Sequence, residues 1–229
     1  MTVRINDTAP DFYAESTQGP IRFHEWLNEQ WAIFFSHPKE FTPICTTELG
    51  LMARMEEEFS KRNTKIIGHS IDPVVEHMRW LYDIKETQGY MPSFPIIGDQ
   101  DLKVAKLLDM LPAEAVPGVR TAADNATVRS VFIIGPDRKI KLTSNYPMTV
   151  GRSFDEILRS LIALQIHATY KLATPANWKD GDYLVIPPAV SDEEAAALFP
   201  AGWKSPKPYL RMVDPATLLP KLLDHVRSK

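Results

Sequence analysis

The chain has 229 residues, of which 44% are hydrophobic, and its 26 Lys and Arg against 29 Asp and Glu leave a net charge of -3 at pH 7. This composition supports the core of one large domain, or of a domain with an appendage, and excludes a largely disordered chain. Without a basic excess the chain does not fit a general nucleic-acid binder. It also lacks the run of about 18 apolar residues that a membrane-spanning helix needs. The first residues have no apolar signal-peptide centre, so we expect a cytoplasmic protein.

Cysteine occurs once, at position 45. A single thiol can form neither an intrachain disulfide nor a multi-cysteine zinc site. The six histidines show no HxxxH or HxH spacing. The sequence therefore predicts no metal site and no cofactor, and it leaves one thiol to be explained.

Strand-like and helix-like segments alternate through the first two-thirds of the chain. Strand character is predicted for residues 31–35, 65–71, 94–99, 128–135 and 139–144. Helices are predicted at residues 43–61, 72–87 and 102–108, and after the capping box Ser153–Glu156. In the second of these, Asp72 is the predicted N-cap and Pro73 the first helical residue. The last two strands form a hairpin candidate. This order predicts an α/β fold with a mixed central sheet flanked by helices.

The composition changes near residue 170. Eight of the 19 prolines lie in the last 60 residues, and helical patterns there are limited to 191–199 and to 215–226, where Pro220 interrupts the second. A segment with so little regular secondary structure is expected to form only a weak hydrophobic core by itself. We therefore predict a domain of residues 1–169 and an irregular C-terminal arm of residues 170–229, which packs on its own domain or on a partner subunit.

Cys45 lies where a predicted strand gives way to a predicted helix. Thr42-Pro43 is a helix-start pattern, with Thr42 as the N-cap and Pro43 as the first helical residue, so Cys45 falls in the first turn. Free backbone N–H groups and the positive end of the helix dipole stabilise a thiolate there. A lone intracellular cysteine is more often a small buried apolar side chain. However, the carboxyl end of a strand is where α/β folds place their ligand sites.

Ionisation of the thiol alone would not make a catalyst. An ordinary thiol is roughly 3% ionised at pH 7, so full ionisation gains only about 30-fold. Catalysis also needs groups that stabilise charge developing in the transition state. Thr42 offers a hydroxyl on the same turn, and Arg129 offers a cation because it interrupts an apolar strand. The alternative for Arg129 is a strand-end arginine paired with a carboxylate.

The segment Pro-Lys-Glu-Phe-Thr-Pro-Ile-Cys, residues 38–45, resembles the PxxxTxxC motif of the peroxiredoxins. These are thiol peroxidases of the thiol-specific antioxidant and alkyl hydroperoxide reductase family, with a thioredoxin-like fold. The longer stretch FSHPKEFTPICTTELG resembles the one-cysteine subgroup. The resemblance continues in order through SIDPVVEHMRW, FPIIGD, VRSVFIIGPDRKIKL, YPMTVGRSFDEILR and TPANWKDGD, and it covers about residues 5–190.

The resemblance implies a role for each matching residue. Cys45 matches the peroxidatic cysteine, whose thiolate attacks the terminal oxygen of a hydroperoxide, and Thr42 matches the hydroxyl that orients the peroxide. Arg129 matches the arginine that stabilises the thiolate and the polarised O–O bond, and Pro38 matches the residue that shields the thiol from water. Three further residues match positions around this site: His37, Glu48 and Arg152.

The resemblance also implies a catalytic cycle and an assembly. Peroxide would convert Cys45 to a sulfenic acid, and excess peroxide would carry it on to a sulfinic acid. Because the chain has no second cysteine, recycling would need an external thiol, such as thioredoxin or glutathione, or another reductant. The implied assembly is a homodimer or a ring of dimers, for which residues 170–229 are the predicted dimerisation arm.

Two other interpretations use the same thiol. One is a non-enzymatic peroxide sensor or chaperone-like assembly that Cys45 oxidation switches. The other is a cysteine hydrolase with His37 as the base, for which no orienting carboxylate is evident.

Some one-cysteine relatives also carry a lipase-like nucleophile serine before the first buried strand. Residues 28–32 here contain neither serine nor glycine, although His24 and Asp137 match partner positions. Two partners without a nucleophile make no hydrolase, so we predict no phospholipase activity.

Overall fold

The computed structural model describes residues 3–112 and 126–218. The chain divides into two compact units, residues 1–154 and 155–229. The boundary between residues 169 and 170 that we infer from composition stays a prediction.

The first unit is built on a seven-stranded sheet. In chain order its strands are β1 (Tyr13–Ser16), β2 (Gly19–Arg22), β3 (Trp31–Ser36), β4 (Thr64–Ser70), β5 (Ile96–Gly98), β6 (Arg129–Ile134) and β7 (Ile140–Tyr146). Their order in the sheet is β2-β1-β5-β4-β3-β6-β7. The strands β3, β4 and β5 are parallel, and the other neighbouring pairs are antiparallel. This confirms the predicted mixed central sheet.

All six residues of β3 and of β6 are buried. Continuous burial of this kind is typical of strands that are covered on both faces. One core cluster joins Phe34, Ile67 and Phe132 from three neighbouring strands, and the rings of Phe34 and Phe132 meet edge to face at 6.1 Å. The sheet centre is therefore a rigid platform for the loops at its ends.

Among the described residues of the first unit, four helices accompany this sheet: α1 (Phe23–Leu27), α2 (Pro43–Ser60), α3 (Val74–Gln88) and α4 (Lys103–Leu107). The next helix, α5 (Phe154–Tyr170), begins at the final residue of the first unit and otherwise belongs to the second. The predicted start of α2 is confirmed, with Pro43 first and Thr42 as its N-cap. The start of α3 is one residue later than predicted, because Pro73 is its N-cap. The Asp72 carboxylate instead accepts hydrogen bonds from the backbone N–H of Glu40 and the Ser70 hydroxyl.

The hairpin of β6 and β7 is confirmed, with a register shift at Ile133 and Ile134. The antiparallel pair β1 and β2 and the helix α1 were not predicted, because each element is only four or five residues long and the two strands lack the apolar runs of the central strands.

The second unit contains more regular structure than its proline content predicts. A three-stranded antiparallel sheet with the order β8-β10-β9 is formed by β8 (Leu184–Val185), β9 (Lys204–Lys207) and β10 (Leu210–Val213). The predicted helix at 191–199 is confirmed as α6 (Asp192–Leu198), and the Ser191 hydroxyl accepts a hydrogen bond from the Glu194 N–H at 3.1 Å.

This unit has its own cluster of buried apolar side chains, which includes Ile166, Trp178 and Val213. The predicted helix at 215–226 is represented by a 3₁₀ turn (Pro215–Thr217), and its part from residue 219 lies outside the described residues. Among the residues that the structure describes, no helix is both long and apolar enough to cross a bilayer.

Candidate active site

The junction between β3 and α2 carries the thiol. β3 ends at Ser36, residues 37–42 connect the two elements, and Cys45 is the third residue of α2. The Cys45 side chain is fully buried. The helix start that Thr42 and Pro43 encode therefore places the sulfur in the first turn, among backbone N–H groups that have no partner within the helix.

Arg129 brings a cation to this sulfur from a strand distant in sequence. It is the first residue of β6, which pairs with β3 so that Phe35 lies opposite Val131. Its Nη1 donates to Cys45 Sγ at 3.2 Å. This contact brings a positive charge directly to the sulfur.

The Arg129 guanidinium is held on two other sides. Its Nε and Nη2 donate to the Met148 carbonyl oxygen at 3.0 and 2.7 Å, and its Nη1 also donates to Glu48 Oε2 at 2.7 Å. Arg129 therefore contacts the thiol and also pairs with a carboxylate, so the two interpretations of this residue are both correct. Of its five N–H groups, these contacts in the described chain occupy four and leave one on Nη2.

Glu48 links this arginine to a second one. It lies one turn after Cys45, and its Oε1 accepts from the backbone N and the Nε of Arg152, each at 2.9 Å. Its Oε2 accepts from Arg152 Nη2 at 2.6 Å. The remaining donor, Arg152 Nη1, bonds to the carbonyl oxygens of Ser36 and Ser130 at 2.8 and 3.0 Å.

The buried ion cluster therefore carries two guanidinium groups and one carboxylate. Arg129, Arg152 and Glu48 are at most 6% exposed. Their charges sum to one unbalanced positive charge, and such a charge is unfavourable in an apolar interior. Through Arg129, this charge is in direct contact with the Cys45 sulfur.

Thr42 and Pro38 lie on the segment that precedes the helix. The Thr42 hydroxyl donates to the Lys39 carbonyl oxygen at 2.8 Å. Its proton is thus committed, while its oxygen keeps lone pairs with which it can accept. Pro38 is buried, as expected of a residue that keeps water from the thiol.

His37 is fully buried, and neither of its ring nitrogens has a hydrogen-bond partner within the described part of the chain. Its ring lies 5.3 Å from Trp80 and 5.9 Å from His77. Burial, reinforced by the nearby charges of His77 and of the two arginines, holds the pKa of His37 well below its ordinary value of 6.5. The ring is therefore neutral at pH 7, and neither ring nitrogen contacts a carboxylate of the described residues that could orient it as the base of a hydrolase.

The two positions that match lipase partners have other contacts. His24 Nε2 lies 2.8 Å from the Ala9 carbonyl oxygen, and Asp137 Oδ2 accepts from Lys141 Nζ at 2.6 Å. In residues 3–112 and 126–218, no group of three or more His, Cys, Asp or Glu side chains is arranged to hold a metal ion.

Sequence reasoning missed the Met148 carbonyl, which takes two hydrogen bonds from Arg129. A backbone oxygen carries no side-chain signature, so no pattern could have indicated it. It also missed the contact between Glu40, inside the PxxxTxxC segment, and His77 on α3. Two buried titratable side chains in strongly patterned segments were the available signal.

Comparison with known proteins places this geometry in a family. The model of the AhpC/TSA family matches residues 5–143, and that of the C-terminal domain of 1-Cys peroxiredoxin matches residues 163–202. A 1-Cys peroxiredoxin of Dictyostelium discoideum is 47% identical over 211 residues, which are 92% of this chain and 84% of that protein. Human Peroxiredoxin-6 is 48% identical over 217 residues, with 90% and 95% covered.

Comparison with solved structures supports the same family. A mutant of Peroxiredoxin 6 from Arenicola marina superimposes with a TM-score of 0.84 at 42% identity, covering 93% of this chain and 98% of that one. The yeast mitochondrial 1-Cys peroxiredoxin gives a TM-score of 0.85 at 45% identity, covering 93% and 100%. With one cysteine at the start of α2 and a matching C-terminal extension, the chain belongs to the AhpC/TSA family and, within it, to the 1-Cys peroxiredoxins.

Proposed function

We propose that Cys45 is the peroxidatic residue of this 1-Cys peroxiredoxin and that Arg129 is the cation that accelerates its reaction with hydroperoxides. The observation that carries the proposal is the 3.2 Å contact between Arg129 Nη1 and Cys45 Sγ. The surrounding charges support it, since the buried cluster of two arginines and Glu48 is one negative charge short of balance. Ionisation of the thiol supplies that charge.

In the first step the Cys45 thiolate attacks the terminal oxygen of the hydroperoxide. The S–O bond forms as the O–O bond breaks, and the departing alkoxide or hydroxide takes up a proton to leave as alcohol or water. The uncommitted N–H of Arg129 and the first-turn N–H groups of α2 are available to stabilise the developing negative charge. The Thr42 oxygen is available to accept a hydrogen bond from the peroxide O–H, which would orient the substrate.

In the second step an external thiol attacks the sulfenic sulfur of Cys45 and displaces water, which leaves a mixed disulfide. A second thiol then releases the Cys45 thiolate and carries away a disulfide. The yeast mitochondrial relative is described as being resolved through glutathione and thioredoxin systems. We infer that one of these thiols serves this chain as well, and that excess peroxide instead oxidises Cys45 to the sulfinic acid.

The test is steady-state consumption of hydrogen peroxide and of an organic hydroperoxide with three reductants: glutathione, thioredoxin with its reductase, and ascorbate. We expect many turnovers with at least one thiol reductant, and none in Cys45→Ser. If each chain were oxidised once and no reductant gave turnover, a peroxide sensor would replace the enzyme. Turnover that persisted in Cys45→Ser would remove Cys45 from the reaction.

We further propose a homodimer in which the arm of residues 170–229 contacts the partner, in a cytoplasmic protein. The support is the family resemblance and the match of residues 163–202 to a dedicated C-terminal domain. Mixed unlabelled and ¹⁵N-labelled chains can be cross-linked and analysed by mass spectrometry. We expect mixed-label cross-links from arm lysines such as Lys204, whereas a monomer in sedimentation at micromolar concentration would contradict the dimer. Cell fractionation tests the location.

A further inference from the structure

A buried pair of titratable side chains joins the thiol-bearing segment to α3. Glu40, which is 5% exposed, contacts His77 Nδ1 through its Oε1, and His77 is fully buried. The other nitrogen, His77 Nε2, lies 3.1 Å from the Ile97 carbonyl oxygen. Both ring nitrogens therefore face oxygen acceptors.

These partners require one proton more than a neutral imidazole and a carboxylate hold together, because a neutral imidazole donates only once. That proton can lie on the Glu40 carboxyl, which then donates to Nδ1. Burial raises the pKa of Glu40, and the carboxylates of Asp72 and Glu76 add to that effect. Apart from this contact, Glu40 Oε1 and His77 Nδ1 have no polar partner among the described residues, so removal of either side chain leaves a buried polar atom of the other alone.

Glu40 is anchored a second time, through its backbone. Its N–H donates to Asp72 Oδ2 at 2.9 Å, at the junction of β4 and α3. The next residue, Phe41, has a left-handed φ of 49° and its ring lies 6.1 Å from that of Trp80 on α3. A bulky residue keeps such a conformation only when its surroundings enforce it. The two contacts of Glu40, with His77 and with Asp72, hold the backbone immediately before Phe41 and so help to enforce it.

The anchored segment leads directly into Thr42 and the first turn of α2. The Cys45 sulfur there is fully buried and aligned with Arg129. That alignment suits attack on a small peroxide. An external thiol is larger than hydrogen peroxide, so its approach to the sulfenic sulfur needs a wider opening of the segment that covers this atom. The two halves of the cycle therefore place opposite demands on this segment.

We propose that the Glu40–His77 pair is a clamp that holds residues 38–42 in the geometry for peroxide attack, so that its strength sets the balance between oxidation of Cys45 and reduction of its sulfenic acid. This inference rests on the proposed function. Glu40 and His77 are positioning residues, which act through the segment that carries Thr42 and Cys45.

The test measures the two steps separately in Glu40→Gln, His77→Gln and the double variant. Stopped-flow tryptophan fluorescence gives the rate constant for oxidation by hydrogen peroxide, and a second mixing step gives that for reduction of the sulfenic acid by dithiothreitol. We expect oxidation to slow and reduction to accelerate, each by about tenfold, which corresponds to about 1.4 kcal/mol. The double variant should match the single ones, because either substitution already opens the clamp.

His69→Gln is the matched control, since His69 is also fully buried and pairs with a buried carboxylate, Asp99, at 3.0 Å. We expect it to change both rate constants by less than about twofold. If the clamp variants do not fold, Asp72→Ala tests the same segment from a half-buried position and should shift both steps in the same directions. Thermal unfolding of each variant shows which ones are folded.

Three results would overturn the clamp: both steps slowing together in the folded variants, His69→Gln reproducing their effect, or the single effects adding in the double variant. The wild-type chain separates this inference from the proposed function. If wild-type Cys45 does not react with peroxide, the function itself fails. If it reacts and the clamp variants behave like wild type, only the clamp fails.

Discussion

Replacement of Arg129 by Met tests the electrostatic core of the mechanism. The substitution removes the guanidinium that lies 3.2 Å from Cys45 Sγ and keeps an apolar side chain of similar length. Glu48 retains its contacts with Arg152, so no carboxylate is left unpaired. The Met148 carbonyl loses its donors, but the Met148 residue is 48% exposed and water can replace them. Activity should therefore suffer far more than folding.

The expected magnitude follows from the contact that is lost. A hydrogen bond to a charged group is worth about 1.5–3 kcal/mol, which corresponds to about tenfold to 150-fold in rate. Full Coulomb attraction at this distance would exceed that range, but Glu48 lies 2.7 Å from the same nitrogen and offsets part of the charge. We therefore expect the second-order rate constant for oxidation by hydrogen peroxide to decrease by about tenfold to 150-fold, or by somewhat more.

Two measurements check it: stopped-flow oxidation by hydrogen peroxide, and the rate of alkylation by iodoacetamide at pH 7. Alkylation should also be slower in Arg129→Met, because the sulfur has lost its neighbouring cation. Arg79→Met is the matched control, since it removes an exposed arginine paired with Glu76. A folded Arg129→Met chain that was oxidised at a rate within about threefold of wild type, with an unchanged rate of alkylation, would refute the reasoning.

Two further substitutions test the buried charges. Glu48→Gln leaves Arg129 and Arg152 without their shared carboxylate, so we expect a loss of about 3–5 kcal/mol in the free energy of unfolding by urea; a loss below about 1 kcal/mol would contradict the charge balance. His37→Leu tests the lowered pKa of that ring. Because the unfolded chain binds the His37 proton below pH 6.5 while the folded chain does not, wild-type stability should fall as the pH drops below that value, by up to about 1.4 kcal/mol per pH unit. The Leu variant should lose that part of the slope, and an identical slope in both chains would show that His37 does not contribute.

Local chemistry accounts for the features that the sequence predicts well. A helix start depends on a few adjacent residues, and Thr42 followed by Pro43 therefore placed Cys45 correctly in the first turn of α2. The continuous apolar runs of β3 and β6 likewise identified the buried centre of the sheet. Edge elements were missed because they lack such runs. β9, for example, is a fully exposed edge strand that contains Pro206, which a central strand would not tolerate.

The resemblance to a known family named Arg129, Glu48 and Arg152 as neighbours of the thiol, but it did not say which atoms meet. That Glu48 bridges both arginines became visible only in the structure, as did the double bond of Arg129 to the Met148 carbonyl. The contact of Glu40 with His77 also became visible only in the structure, because the sequence shows the two residues in separate segments and not that their side chains meet.

The sequence by itself determined that this chain has one thiol, that the thiol opens a helix after a buried strand, and that no second cysteine can resolve it. The tertiary structure decided which charges surround that thiol. Arg129 and Cys45 are 84 residues apart, and Arg152 and Glu48 are 104 apart. They meet because β6 pairs beside β3 and the chain after β7 returns to the same end of the sheet. Helix capping depends on neighbours in sequence, whereas the balance of buried charge depends on the order of strands, which no local pattern encodes.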